Sequence, residues 1–288
     1  MGRIFRLLPV LCVLAVLTVV WYGGALAMNW DQARSMADDG AGWTDVAKSA
    51  LALERPLLPT PDQVAGEMTR SVFGYNVASP RSLVFHAGVT AWEALLGFVV
   101  AVIAGMTLAI GIVHIRTLDR ALMPWLIVSQ AVPVLAIAPM VVVVLGNIGL
   151  TGVTPKALIA GWLSFFPIAT GMAKGLRSSD PMRRDLLRTY SATATQVFMK
   201  LRWPDSMAFL FPAMKVAAPL ALVGAIVAEL PTGAQAGLGA RLLTGSYYGQ
   251  TPQIWAALFM AALLAMLAVA AVDVAQALLT RARGGRLL

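Results

Sequence analysis

Glu93, Lys215, Glu229 and Asp273 fall within long apolar stretches of this 288-residue chain. Acids in such surroundings mark ion or substrate paths by default, so a proton relay is the first chemistry to weigh. Their positions weigh against it. Glu93 and Glu229 stand near the ends of their runs, at what reads as the outer interface, where simple hydration accounts for both. Asp273 lies about two turns from the inner end of its run and can snorkel or pair with Arg281 or Arg283. Lys215 lies roughly 10 Å into its helix and can also snorkel. The two histidines, His86 and His114, flank one apolar run at opposite ends. If that run spans a membrane they cannot share a metal.

No His-Glu-x-x-His, Cys-x-x-Cys or Ser/His/Asp grouping occurs, so enzyme chemistry has little support. The phosphate-loop pattern Gly-x-x-x-x-Gly-Lys-Ser/Thr is absent, and so is any Gly-Lys dipeptide. A nucleotide-driven process would need a separate chain to bind ATP.

Composition points to the bilayer. Hydrophobic residues make up 59% of the chain and charged residues 12%, against about 25% charged in a soluble domain. Mean hydropathy is +0.76. The net charge of +8 does not indicate nucleic acid, because the cations lie between apolar runs. Cys12 is the single cysteine and excludes an internal disulfide.

A helix needs roughly 20 apolar residues to cross a bilayer. Six runs qualify, near 7–27, 92–113, 121–145, 153–172, 208–230 and 255–279. Without water to satisfy the backbone, each is expected to be helical. The fold class is thus all-α and polytopic. The first run follows a basic start and ends near an Ala-x-Ala sequence, like a signal peptide, but its length favours an uncleaved anchor. Orientation follows from the cations. With the N-terminus inside, the inner segments hold Arg3, Arg6, Arg116, Arg120, Lys174, Arg177, Arg183, Arg184, Arg188, Lys200, Arg202, Arg281, Arg283 and Arg286. The outer segments hold half as many. Both termini are expected in the cytoplasm. Residues 28–85 form a long outer loop. Its Glu-Arg-Pro-Leu-Leu-Pro-Thr-Pro sequence argues for extended chain and a surface linker, with a contact surface for an external partner as the sharper alternative.

Pro133 and Pro139 interrupt the third run. Broken helices often line a transport path, and ordinary kinked packing is the alternative. Gln130 is a polar pore-lining candidate on the same argument. Residues 231–239, rich in glycine, read as an outer turn or a gate.

The segment 174–206 is the longest inner loop, and its grammar is helical. Asp180 can cap and Pro181 fits a first helical position. That helix reaches about Tyr190, and Ser191-Ala192 makes a break. Thr193 and Gln196 have capping-box spacing for a second helix, with Val197, Phe198 and Leu201 on one face. Pro204 is expected to end it.

This hairpin resembles the cytoplasmic loop of ABC importer permeases, which carry Glu-Ala-Ala, three residues, Gly, then Ile and Pro. Permeases for nitrate, sulfonate, taurine and pyrimidine-type compounds read close to ELARTLGAS…QVF.KV.LP. Here Asp185 stands for the acid, Leu186 and Leu187 for the two alanines, and Ser191 for the glycine. Arg188, Thr189, Gln196, Val197, Phe198, Lys200 and Pro204 match. The leucines enlarge the knob. Serine gives up easy access to positive φ, so a less sharp turn is expected. Residues 161–181, 130–146 and 225–243 also look like family segments, so the similarity covers about 85–280.

The resemblance implies four regions: an anchor at 1–27, an extracytoplasmic loop at 28–85, a permease domain at 86–280 holding the coupling loop 174–206, and a basic cytoplasmic tail at 281–288. It implies a multi-pass plasma (inner) membrane protein without its own cofactor, its ATP bound by a separate ABC ATP-binding subunit. It further implies an extracytoplasmic solute-binding protein and a second permease copy, as a homodimer. ATPase coupling would fall to Asp185, Leu186, Leu187, Arg188, Thr189, Tyr190, Ser191 and Pro204, with Leu187 and Tyr190 as the apolar knob. Asp185 and Arg188 could pair across the partner's groove. The solute is either of the nitrate/sulfonate/taurine class or a pyrimidine or vitamin precursor, with a lean to the second. A proton-coupled secondary transporter using Glu93 or Asp273 and a membrane scaffold without transport stay open as alternatives.

Overall fold

A computed structural model of the chain describes residues 2–38, 41–231 and 234–282, with side chains from residue 8 onward. Most of the expected basic tail lies outside the described residues, as do Thr232 and Gly233 of the glycine-rich turn. Among the described residues the structure is helical with no strand. Five helices are long and apolar enough to cross a membrane, or six if one bent pair counts as a span. The chain divides into two compact units, residues 1–86 with 241–260 and residues 87–240 with 261–288.

In the first unit, α1 (Gly2–Met36) runs past the expected end of the anchor. Two further helices follow, α2 (Trp43–Ala52) and α3 (Pro61–Phe73). The expected linker is therefore a packed element. Ala33, Val46 and Ala50 are buried together, with Trp30 and Leu53 against them. Asn29 explains how the proline-rich stretch is held. Its amide donates to the carbonyls of Ala50 and Leu58 at 3.2 and 2.9 Å, and its Oδ1 accepts from the Leu57 and Leu58 amides. A buried amide with its bonds satisfied fixes extended chain that has no ladder of its own. The prolines do keep residues 53–60 non-helical, as expected, until Pro61 opens α3 behind the Thr60–Gln63 capping box. Tyr22 donates to Asp62 at 2.8 Å, which holds that carboxyl below the usual range.

The second unit begins within α4 (Leu83–His114). The third expected span is not one helix. It is α5 (Arg116–Ser129) and α6 (Val134–Asn147), set at 106° across residues 130–133. Pro133 caps α6 and removes a donor just where the ladder would have to continue. Pro139 sits inside α6. After α7 (Val153–Arg177) come α8 (Pro181–Thr189), α9 (Ala194–Val197), a π-turn at Phe198–Arg202 and α10 (Trp203–Glu229). The chain closes with α11 (Leu238–Tyr247) and α12 (Thr251–Ala282).

Helices α7 and α10 pack together along their lengths, burying Ile168, Met172, Leu176, Met207, Leu210 and Phe211. Lipid is as apolar as leucine, so close backbone approach and dispersion must supply the association. Glycines permit it. A methyl on Gly224 would stand 2.6 Å from the Cα of Ala160. A methyl on Gly97 of α4 would meet the Ala160 side chain and, at 2.6 Å, the Ala157 carbonyl.

Gly224→Ala is expected to destabilise the purified protein by about 1–3 kcal/mol, because backbone cannot yield as a side chain can. Gly88→Ala, whose methyl meets nothing within 4 Å, should leave stability unchanged or raised. Thermal unfolding of the two variants in detergent measures the difference.

Candidate functional site

The α8–α9 hairpin follows its sequence grammar closely. Asp180 accepts from the Met182 amide at 2.9 Å, and Pro181 opens α8. Thr193 and Gln196 form the reciprocal capping box. Between them the chain turns on Ser191, which holds φ at +53°. The Ser191 amide donates to the Arg188 carbonyl at 2.9 Å, and the Ala192 amide to the Leu187 carbonyl at 3.0 Å. This is a Schellman turn, which ordinarily takes glycine at that position. The turn is therefore as sharp as glycine would make it, and serine bears the steric cost of about 1–2 kcal/mol.

Pro204 does not end the second helix. Helix runs without interruption from Ala194 to Glu229. The π-turn accommodates the proline: Trp203 donates to Phe198, five residues back, where an α-helix would use four. The widened turn removes the register in which the proline ring would clash. Val197 and Phe198 are half-buried and Leu201 is buried, as their shared face requires. Phe198 meets His114 edge-on, with ring centroids 5.3 Å apart. Arg177 pairs with Asp119 at 2.9 Å near the hairpin's base.

Leu187 is half-buried, whereas Met182, Leu186 and Tyr190 are 80, 55 and 77% exposed. These three recur every fourth residue and form one stripe. Asp185 and Arg188 pair with each other along α8 at 3.3 Å, both largely exposed. Such a pair contributes about 0–1 kcal/mol.

Two of the acids within the apolar runs are buried where hydration at an interface was expected. Glu93 and Glu229 are 1 and 0% exposed. Glu93 accepts from Lys156 at 2.7 Å. Thr90 donates its hydroxyl to Glu229 at 2.6 Å and accepts the Leu238 amide at 2.8 Å. The Gly239 amide donates to the other oxygen of Glu229 at 2.5 Å. Glu229 thus receives the first turn of α11, where exposed amides favour a negative group. Gly237 holds φ at +118°, and a side chain there would overlap the Glu229 carboxyl. The glycine-rich sequence is required by this close approach. Asp273 meets Lys215 at 2.5 Å; of its two expected partners, Arg283 lies outside the described residues. His86 and His114 each bond a nearby carbonyl, of Pro80 and Ile110. Among the described residues no three potential metal ligands converge.

Gln130 and Pro133 lie together at the break between α5 and α6, and Pro139 stands further along α6. Among the described residues of this unit, three apolar hollows bear on the site. One, of about 270 Å³, lies between α6 and α7 beside Val134 and Trp162. A second, of about 320 Å³, lies between α5 and α7 beside Trp125, Ser129 and Trp162. The largest, about 430 Å³, is lined by α4, α10 and α12.

The sequence reading missed Lys156 as the partner of Glu93. The available signal was two opposite charges in separate apolar runs, each needing a partner. Lys156→Met is expected to destabilise the protein by about 3–5 kcal/mol, because it leaves Glu93 buried and unpaired. Adding Glu93→Met should recover most of the loss, as read by thermal unfolding in detergent.

The family model of the binding-protein-dependent transport system inner membrane component matches residues 87–284. The formylaminopyrimidine transport permease protein ThiX of Halalkalibacterium halodurans is 30% identical over 230 residues, 78% of this chain and 85% of that one. The riboflavin transport system permease protein RibX of Chloroflexus aurantiacus is 31% identical over 210 residues, 73% and 74% of the two chains. A solved amino acid ABC transporter "with histidines" shares the fold at a TM-score of 0.53 and 16% identity, covering 69% of this chain and 92% of that one. The chain belongs to the family of inner-membrane components of binding-protein-dependent transport systems: it is a multi-pass ABC transporter permease subunit, and a permease subunit is not itself an enzyme.

Proposed function

We propose that this chain forms the solute path of an ATP-driven importer and receives its mechanical drive through the α8–α9 hairpin. The observation that carries this reading is the exposed stripe of Met182, Leu186 and Tyr190 on a short helix capped at both ends. Isolated helices this short are marginal in water. The Asp180 cap and the Schellman turn at Ser191 hold this one firm. A separate ATP-binding subunit takes the stripe in a groove, and this chain binds no cofactor of its own. Asp185, Arg188 and Thr189 border the contact, while Leu187 packs inward and Pro204 sits at the root. The hairpin and both termini lie in the cytoplasm, in keeping with the clustered cations.

Two copies of the chain line the path, and an extracytoplasmic solute-binding protein delivers the solute. The resemblance leaves open a nitrate, sulfonate or taurine-type solute and a pyrimidine or vitamin precursor. The relatives named for formylaminopyrimidine and riboflavin transport favour the second. ATP shifts the permease between inward- and outward-open states by binding one of them better. The proton-coupled alternative loses its residues, since Glu93 and Asp273 are each held by a lysine.

Leu186→Asp with Tyr190→Asp tests the coupling. Co-purification of the ATP-binding subunit should be lost, and ATP-dependent uptake should fall about tenfold or more. Wild-type uptake should survive an uncoupler and stop on ATP depletion. Normal co-purification and uptake by the double variant would sink the coupling role, and uptake that an uncoupler abolishes would sink the ATP-driven reading.

A further inference from the structure

The break between α5 and α6 places irregular backbone, residues 130–133, inside what would otherwise be a span. Such backbone does not face lipid: within the hydrocarbon it is buried in protein or lines an aqueous cavity. The hollows on the two sides of the break share one wall residue, Trp162 of α7. Its indole is about half-exposed and stands 5.8 Å from the Phe165 ring. Trp125 of α5 lines the same hollow as Phe165. Gln130 is exposed at the break, and Ser129 lines the hollow beside it.

We infer that Trp162, with Gln130 and the backbone of the break, forms a subsite that passes flat heteroaromatic solutes and disfavours small anions. The inference rests on the permease reading above and assigns residues to its solute. Three observations converge on it. The walls are apolar and aromatic, and no charged residue lines either hollow. An anion leaving water would find no cation there. A planar ring would stack on the indole face, an interaction aromatic side chains supply without demanding one ring identity. The polar groups sit at the edge of the break, where a ring's donor and acceptor atoms would meet them. Gln130 offers one acceptor and two donors. α6 starts there behind Pro133 with no side-chain cap; the Ala136 amide donates to the Pro133 carbonyl at 2.9 Å, which leaves the Val134 and Leu135 amides for acceptor atoms on a ring. Apolar walls with a few convergent polar groups are the general form of a small-molecule site. The hollows, about 270 and 320 Å³, fit a one- to three-ring solute better than a larger one.

The test uses the complete importer in proteoliposomes, with its ATP-binding subunit and binding protein. Uptake of formylaminopyrimidine, riboflavin and taurine is measured for wild type, Trp162→Phe and Trp162→Leu. Phenylalanine keeps an aromatic face and leucine keeps only bulk, so the pair separates stacking from packing. The expected result is uptake of at least one ring solute by wild type. Trp162→Leu should lower it about tenfold, and Trp162→Phe should keep it within about threefold. Both variants should retain the ATP-binding subunit. Gln130→Leu should raise the apparent KM for the ring solute. Equal uptake by all Trp162 variants overturns the inference and leaves the permease reading intact, as does wild-type uptake of taurine alone. Loss of subunit assembly in Trp162→Leu also overturns it, because Trp162 then packs an interface. Absence of any ATP-dependent uptake by wild type overturns both.

Discussion

A charge carried into a lipid-bounded interior must find its partner there, and Lys156 with Glu93 imposes that condition on α4 and α7. Coulomb attraction alone would not place the helices, since desolvating two charges offsets most of what their pairing returns. The pair acts together with its neighbours one turn away. Gly97 follows Glu93 by four residues, and Ala160 follows Lys156 by four. Those two residues form the tight contact between α4 and α7. Gly224 of α10 presses on the same Ala160. Three helices thus meet at a single residue, Ala160, with the ion pair fixing the register of α4 against α7. Five residues beyond Gly224, Glu229 takes the Gly239 amide and, through Thr90, the Leu238 amide. The charge cluster and the small-residue contacts are one construction, because each holds the helices at the distance the other needs.

That construction has a long arm. The helix from Ala194 to Glu229 has 36 residues, a rod of about 54 Å. The coupling hairpin grows from one end and the Glu229 cluster closes the other. The π-turn near the hairpin and Pro212 and Pro219 further along are the points where such a rod bends. In the proposed coupling, displacement of the hairpin is passed along a hydrogen-bonded helix to the segment that opens α11, with three identifiable joints on the way.

Much of this was legible in the residue order. Apolar run length located the five long helices, since lipid leaves the backbone no alternative to helix. Asp180-Pro181 and Thr193–Gln196 announced their caps, because capping is local and needs only a side chain near its own amides. The errors arose where a distant contact decided. Asn29 organises residues 50–58 from another helix, so a proline-rich segment that looked like linker is a packed element. Glu93 and Glu229 looked like interface residues because their partners are 63 and 139 residues away. Ser191 accepts a glycine conformation because both flanking helices are capped and the two Schellman bonds over-determine the turn. Pro204 reads as a terminator unless the π-turn is known, and a π-turn has no sequence signature as plain as a capping box.

The molecule reverses the usual order of polar and apolar groups in two places, for opposite reasons. At the Glu93–Lys156 pair polar groups are inside: one oxygen of Glu93 accepts from Lys156, and the other has no hydrogen-bond partner among the described residues. On α8 apolar groups are outside, and nothing among the described residues covers them. Lipid is a poor cover for that stripe, because Arg183, Arg184, Asp185 and Arg188 share its single short helix. An acid and three cations within six residues would have to enter the headgroups with it. A protein groove can receive three apolar side chains while leaving the charges at its rim in water, which is the anatomy of an ordinary interface. A permease subunit with no reacting group of its own can still be driven if this one surface is gripped differently in two states of the partner.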